Sequence, residues 1–143
     1  MIVLDTNVVS EFMRPSPDAT VLAWLDGIPR GEVWTTSVTV AEIAAGIAGL
    51  PEGKQRTRLQ SGFITALRGF DDRILAFTAV AALKYGEIIG HRNRLGRPIS
   101  IADAQIASIA EHAQATLATR NTRDFDGIDV TVINPWDADA ARP

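Results

Sequence analysis

Side chains whose oxygen atoms could bind a metal ion lie at four separate points of the chain, where a predicted strand ends or a predicted helix begins. Asp5 follows the first apolar run, Glu42 and Asp103 lie in the first turns of predicted helices, and Asn121 with Asp124 follows a later strand. Because the carboxyl ends of parallel strands share one edge, we expect these side chains to meet there. Carboxylate and amide oxygens suit Mg²⁺ or Mn²⁺, so the pattern predicts a divalent metal site.

Carboxylates gathered at one edge repel one another, and each raises the pKa of its neighbours unless a cation offsets the charge. A bound divalent ion would offset it, would lower the pKa of a coordinated water, and would stabilise charge on the attacking and leaving oxygens of a phosphodiester. The predicted site therefore suits the hydrolysis of phosphodiester bonds.

Helix capping is the structural alternative for the same residues. Thr39-x-x-Glu42 and Ser100-x-x-Asp103 both match the capping box, in which the acid reaches back to the first residue of the motif. Asp5 could likewise cap a helix that follows the first strand. Caps account for each acid singly, whereas a metal site accounts for their arrival at one edge, and the pattern alone leaves both interpretations open.

The elements that must position these acids alternate along the chain. Short runs rich in apolar and β-branched residues predict five strands, at 2–4, 33–38, 73–77, 115–119 and 130–133. Helical spacing and capping residues predict helices at 8–13, 18–27, 39–49, 54–67, 78–91 and 100–113. This alternation is typical of an α/β fold in three layers, with helices on both faces of a mostly parallel five-stranded sheet.

The bulk composition narrows the class of protein. The chain has 143 residues, of which 46% are hydrophobic, and this predicts a single domain over 1–137 with a frayed tail at 138–143. There is no cysteine, which excludes disulfides and thiolate metal sites. We find no signal peptide and no apolar stretch long enough to cross a membrane, and we expect a cytoplasmic protein without a membrane partner.

The net charge of −3 argues against a protein that coats nucleic acid through bulk electrostatics. Local contacts remain open, because 12 of the 14 basic residues are arginine, which binds phosphate through two parallel hydrogen bonds. Four arginines close to the acid motifs are candidates for RNA phosphate contacts: Arg92, Arg94, Arg97 and Arg120. Solvated loop charge is the alternative for each of them.

The remaining residues of interest carry no assigned chemistry. His91 and His112 lie away from the acid motifs, and we assign them no catalytic role. Trp24 and Trp34 are expected in the core or at an interface rather than as platforms for stacking bases.

Four motifs, in this order, resemble those of the PIN-domain ribonucleases, and in particular those of the VapC and FitB-like toxins of bacterial toxin–antitoxin pairs. The motifs read IVLDTNVVSE at 2–11, SVTVAEI at 37–43, ADAQIA at 102–107 and ATRNTRDF at 118–125. The NPW sequence at 134–136 also resembles the FitB-like ending. The resemblance covers nearly the whole chain and implies a PIN-like (rossmannoid) fold with a Mg²⁺- or Mn²⁺-dependent endoribonuclease activity.

The resemblance also implies roles for individual residues. Asp5, Glu42 and Asp103 match the first three acids of the family, while the fourth acidic position falls on Asn121. An asparagine keeps a carbonyl oxygen but removes one negative charge, so a second metal ion would bind more weakly or only together with the substrate phosphate. Asp124 could supply the missing charge or could cap a helix.

Three further residues would hydrogen-bond the metal ligands in such a site, namely Thr6, Asn7 and Thr119, with buried turn hydroxyls as the alternative. The resemblance implies a cognate VapB/FitA-like antitoxin that blocks the site and binds operator DNA on behalf of the pair. We expect an RNA substrate, a homodimer and a toxin–antitoxin hetero-oligomer. The dimer face or antitoxin groove is expected among the apolar helices between 21 and 67.

Other functions fit the pattern less well. A phosphotransferase of the haloacid-dehalogenase type needs a second aspartate where Asn7 stands. A receiver domain needs an early acidic pair and a lysine near the last strand, whereas the only lysines are Lys54 and Lys84. A PIN-fold module that binds RNA or a protein partner, weakened in catalysis by Asn121, is the alternative that remains.

Overall fold

Five short strands form one parallel sheet at the centre of the computed structural model, which describes residues 1–137. The strands are β1 (Ile2–Leu4), β2 (Val33–Thr36), β3 (Ile74–Leu75), β4 (Thr116–Ala118) and β5 (Val132–Ile133). They lie in the order β3-β2-β1-β4-β5, and every pairing between neighbours is parallel. The predicted tail at 138–143 lies outside the described residues.

Six α-helices connect these strands within residues 1–137. They are α1 (Thr6–Phe12), α2 (Ala19–Asp26), α3 (Ser37–Ala48), α4 (Lys54–Phe70), α5 (Ala79–Arg94) and α6 (Ile101–His112). Two short 3₁₀ turns, Arg30–Glu32 and Thr122–Phe125, complete the connections. None of the helices in the described part of the chain is long and apolar enough to cross a membrane.

The two faces of the sheet bury two separate apolar cores, because successive side chains of a strand point to opposite faces. Ile2 and Leu4 pack with residues of α1, α2, α3 and α4, whereas Val3 between them packs with residues of α5 and α6. Trp24 is buried in the first core, as predicted, and Trp34 borders the second. The predicted three-layer α/β fold is confirmed, and the sheet is parallel throughout.

Two element boundaries differ from the sequence prediction in ways that matter for the site. The sequence predicts Thr39 as the cap of α3, but the cap is Thr36, whose Oγ1 accepts a hydrogen bond from the Thr39 backbone N–H at 3.0 Å. Strand β2 therefore ends before Ser37, and Glu42 lies in the second turn of α3. At the other boundary, α5 continues to Arg94, three residues beyond the predicted end, and the following basic loop is shorter than predicted.

Candidate metal centre

Asp5 lies directly after β1, the central strand, and is the anchor of the site. Its side chain is buried, with 3% of its surface exposed. One carboxylate oxygen accepts a hydrogen bond from the Thr6 backbone N–H at 2.7 Å. The other accepts from Asn7 Nδ2 at 2.9 Å and from Thr119 Oγ1 at 2.6 Å. Asp5 caps α1 and also lies at the carboxyl end of β1. Its capping role is therefore compatible with a place among the proposed metal ligands.

Glu42 reaches the same edge from α3. Its Oε1 accepts a hydrogen bond from the Thr6 hydroxyl at 2.6 Å. Thr6 therefore links two acids that are far apart in the chain, since its backbone N–H donates to Asp5 and its hydroxyl donates to Glu42.

Asp103 arrives from the first turn of α6, which packs against α3. Half of the predicted capping box is present, because Ser100 Oγ accepts from the Asp103 backbone N–H at 3.1 Å. In place of the Ser100 backbone N–H, the Ser100 hydroxyl donates to Asp103 Oδ2 at 2.7 Å. The serine thus fixes one oxygen of the Asp103 carboxylate. Sequence reasoning treated Ser100 only as an alternative explanation for the motif, although the same spacing also orients the acid.

The environment of Asp5 disfavours its ionised form. Burial is the largest cause and, with smaller contributions from the negative charges of Asp103 and Glu42, it raises the pKa of Asp5 to about 6 against the lowering effect of the hydrogen bonds from Thr119 and Thr6. The site therefore holds a carboxylate whose ionised form is destabilised at neutral pH and would be stabilised by a nearby cation.

The chemistry of this donor set fits a hard divalent cation. None of the three acids forms a salt bridge within residues 1–137, where the paired acids are Glu11, Glu32, Glu87 and Glu111. In the same part of the chain, one oxygen of Glu42 and one of Asp103 accept no hydrogen bond. The three carboxylates are too far apart to ligate one ion together. Within residues 1–137, no group of three His, Cys, Asp or Glu side chains is close enough to do so. Ligation would require the three carboxylates to close around the ion.

Asn121 occupies the position where the family pattern has a fourth acid. It is hydrogen-bonded to Thr119, which in turn donates to Asp5. Its backbone N–H donates to Thr119 Oγ1 at 3.1 Å, and its side chain is exposed. Asp124 is also exposed and lies inside the Thr122–Phe125 turn, so the helix-capping alternative for this residue is wrong. The charges that raise the pKa of Asp5 come from Glu42 and Asp103 and not from Asp124.

The four candidate arginines separate into buried and exposed residues. Arg94, Arg97 and Arg120 are exposed. Arg92 is only 4% exposed, and its guanidinium donates to the backbone carbonyl of Asp126, so the solvated-loop alternative is wrong for this residue and its burial argues against a contact with RNA phosphate.

The burial of Arg92 follows from the extra turn of α5, which puts it one turn after Ile88 on the buried face of the helix. That spacing was the signal available in the sequence.

A further aromatic residue contacts Arg120, whose backbone N–H donates to Asn7 Oδ1. The guanidinium of Arg120 lies 5.1 Å from the ring centroid of Trp136. Sequence reasoning gave Trp136 no role, although the NPW sequence follows β5 and so reaches the edge that carries the acids.

Comparison with known proteins identifies the family. The model of the PIN domain family matches residues 2–130. Toxin FitB of Neisseria gonorrhoeae is 40% identical over 140 residues, which cover 95% of this chain and 99% of FitB. VapC ribonuclease Y4jK of Sinorhizobium fredii is 38% identical over 141 residues, with 96% and 99% covered. The solved structure of FitAB bound to an IR36 DNA fragment is similar with a TM-score of 0.88 at 40% identity, covering 96% of each chain.

The sequence motifs, the all-parallel five-stranded sheet and these similarities agree over nearly the full length of the chain. The chain therefore belongs to the PIN-domain family and, within it, to the VapC/FitB toxins of type II toxin–antitoxin systems.

Proposed function

We propose that the chain is a divalent-metal-dependent endoribonuclease that hydrolyses RNA phosphodiester bonds as the toxin of its pair. The observation that supports this most strongly is that Asp5, Glu42 and Asp103 reach one edge of the sheet, where no basic residue of 1–137 pairs with any of them. Burial, with smaller contributions from the other two acids, raises the pKa of Asp5 there. A relative of 38% identity bears the name VapC ribonuclease.

In this proposal Asp5, Glu42 and Asp103 hold a Mg²⁺ or Mn²⁺ ion, and Asn121 can add a carbonyl oxygen. The bound ion would lower the pKa of a water molecule and offset charge on the phosphodiester.

Three neighbouring residues restrain the orientation of two of these acids through contacts already described, although the three carboxylates must still approach one another to ligate one ion. Thr119 and Asn7 both donate to one oxygen of Asp5 and so fix the orientation of its carboxylate. Thr6 fixes Glu42 through its hydroxyl. These residues thus orient the proposed ligands without touching the RNA.

RNA cleavage by the purified protein, freed from any antitoxin, tests the proposal. With Mn²⁺ we expect cleavage that EDTA abolishes, and Asp5→Asn should reduce the rate at least about 100-fold because it removes the central ligand. Asp72→Asn is the matched control, since Asp72 is exposed, precedes β3 and lies at the opposite edge of the sheet. The proposal fails if the wild type cuts no RNA with Mn²⁺ and Asp5→Asn is as toxic as the wild type on expression.

The amide at position 121 favours a second candidate function, a PIN-fold module that binds RNA or a protein partner with little turnover. Titration of Mn²⁺ into the wild type and Asn121→Asp, followed by a cleavage assay of both, separates this binding module from the ribonuclease. If position 121 faces the ion, the added charge should tighten Mn²⁺ binding roughly five- to tenfold. Efficient cleavage by the wild type supports the nuclease, whereas cleavage only by Asn121→Asp supports the binding module. An unchanged affinity would mean that residue 121 is not near the metal.

The proposed partners are a VapB/FitA-like antitoxin, and operator DNA bound through that antitoxin. A structure of FitAB bound to DNA exists for a relative of 40% identity, and the net charge of −3 gives this chain little attraction for DNA by itself. The co-expressed pair should retard operator DNA in a gel, and the toxin alone should not. Sequencing RNA 5′ ends after brief induction would identify the RNA target.

A further inference from the structure

Arg120 and Trp136 form a cation–π contact at the edge of the sheet that carries Asp5. The guanidinium carbon lies 5.1 Å from the centroid of the indole ring. Arg120 follows β4 and Trp136 follows β5, and the two strands are parallel neighbours, so both residues stand past carboxyl ends of the sheet. The contact therefore places a cation at the edge of the sheet that carries the candidate metal centre.

Trp136 is fixed independently of its contact with the arginine. Its backbone N–H donates to Asn134 Oδ1 at 3.1 Å, and Pro135 before it is fully buried. The indole is half-buried and packs against the core formed by β1, α1 and their neighbours. The indole ring therefore has a fixed position, and its part outside the core is available for contact with the guanidinium.

The main chain of Arg120 is fixed as well, through Asn7. The Arg120 backbone N–H donates to Asn7 Oδ1 at 3.1 Å, and Asn7 Nδ2 donates to Asp5 Oδ2 at 2.9 Å. Both ends of the arginine therefore have a defined position relative to Asp5. Within residues 1–137, neither Arg94 nor Arg97 stacks on an aromatic ring.

We infer that Trp136 is a positioning residue, whose indole holds the Arg120 guanidinium where it contacts an RNA phosphate next to the metal centre. This inference rests on the proposed ribonuclease function and adds to it the arginine that binds the backbone and the residue that orients it. Stacking fixes the plane of the guanidinium while leaving its N–H groups free to donate to phosphate oxygens.

RNA binding without cleavage is the direct test. Fluorescence anisotropy of a short fluorescein-labelled single-stranded RNA in EDTA is measured against KCl concentration. Arg120→Ala should weaken binding about tenfold. It should also make the slope of log K against log[KCl] shallower by about 0.7, the value for one phosphate contact on a single strand. Trp136→Leu should weaken binding about two- to fivefold, the range of an exposed cation–π contact.

Two comparisons separate positioning from a merely structural role. Trp136→Phe keeps an aromatic face and should restore most of the binding, and Arg120→Ala with Trp136→Leu should bind no more weakly than Arg120→Ala alone. In Mn²⁺ the single variants should raise KM and leave kcat within about twofold. Arg68→Ala is the charge-matched control, because Arg68 is exposed in the last turn of α4 at the opposite edge of the sheet.

Several outcomes would overturn the inference. It fails if Trp136→Leu lowers the thermal midpoint but leaves RNA affinity and salt slope unchanged, or if the effects of the two variants multiply. It also fails if Arg120→Ala behaves like Arg68→Ala. RNA binding with the expected variant effects but no cleavage in Mn²⁺ would instead defeat the ribonuclease proposal and leave the positioning role in place.

Discussion

At the scale of single residues, Asp5 carries an energetic cost that the rest of the fold must offset. Its carboxylate is 3% exposed, and its pKa of about 6 lies above the ordinary value of 3.8. Without a cation, the folded protein holds the Asp5 proton more tightly than the unfolded chain does. Stability from this group therefore decreases as pH rises from about 4 through 6.

The pH dependence of unfolding measures that cost. Between pH 5 and pH 7.5, ionisation of Asp5 should lower the free energy of unfolding of the metal-free protein by about 1.4 kcal/mol, which corresponds to a roughly tenfold change in the unfolding equilibrium constant. Urea unfolding of the wild type and of Asp5→Asn isolates this contribution, because the variant has no carboxyl to ionise. Mn²⁺ should reverse the loss at pH 7.5 in the wild type only. Parallel pH profiles for the two proteins would refute this assignment.

At the scale of elements, the alternation of strands and helices was predictable because short runs rich in apolar and β-branched residues alternate with segments of helical spacing, most of which begin near a capping residue. Boundaries were less predictable. Thr36 and Thr39 are both good caps, and only the turn geometry decides that Thr36 accepts the hydrogen bond. Residues 92–94 could equally have belonged to the basic loop, because arginine is common both in helix ends and in exposed loops.

The acids of the candidate centre were predictable for the same reason, since a parallel sheet brings its strand ends to one edge. The contacts that orient them depend on side-chain rotamers and on distant turns. The Ser100 hydroxyl donating to Asp103 and the indole of Trp136 under Arg120 are of this kind. No spacing rule in the sequence specifies them.

The buried end of α5 allows a prediction at the element scale. Arg92→Leu removes the donor to the Asp126 carbonyl and should lower the free energy of unfolding by about 2 kcal/mol, with KM for RNA unchanged. Arg97→Leu is the control, because Arg97 is exposed in the loop after α5 and its loss should leave stability within about 0.5 kcal/mol. Denaturant unfolding together with steady-state cleavage distinguishes the two. A raised KM for Arg92→Leu at unchanged stability would contradict the structural role.

At the scale of the whole molecule, apolar side chains remain exposed on both helical layers. Leu83 on α5 is 73% exposed and Val80, one turn earlier, is 50% exposed, while Ile64 on α4 is 46% exposed. The sequence predicted a dimer face or antitoxin groove between residues 21 and 67, and the α5 surface lies outside that range. Exposed apolar patches of this kind favour association with a partner.

The homodimer prediction can now be tested against two surfaces. We expect light scattering after size exclusion to give a dimer at micromolar concentration. Leu83→Asp should convert it to a monomer, and Ile64→Asp should leave it dimeric, because the more exposed apolar pair lies on α5. The opposite result would put the dimer contact on α4, as the sequence suggested. A monomeric wild type would rule out both.

The hydrogen bond between Thr119 and Asp5 joins residues 114 positions apart in the chain. In the order of synthesis all three acids precede β4, the strand that pairs beside β1. A chain that ends between Asp103 and β4 carries all three acids without the hydroxyl and the strand that orient Asp5. The centre is therefore complete only once β4 has been made and has paired with β1.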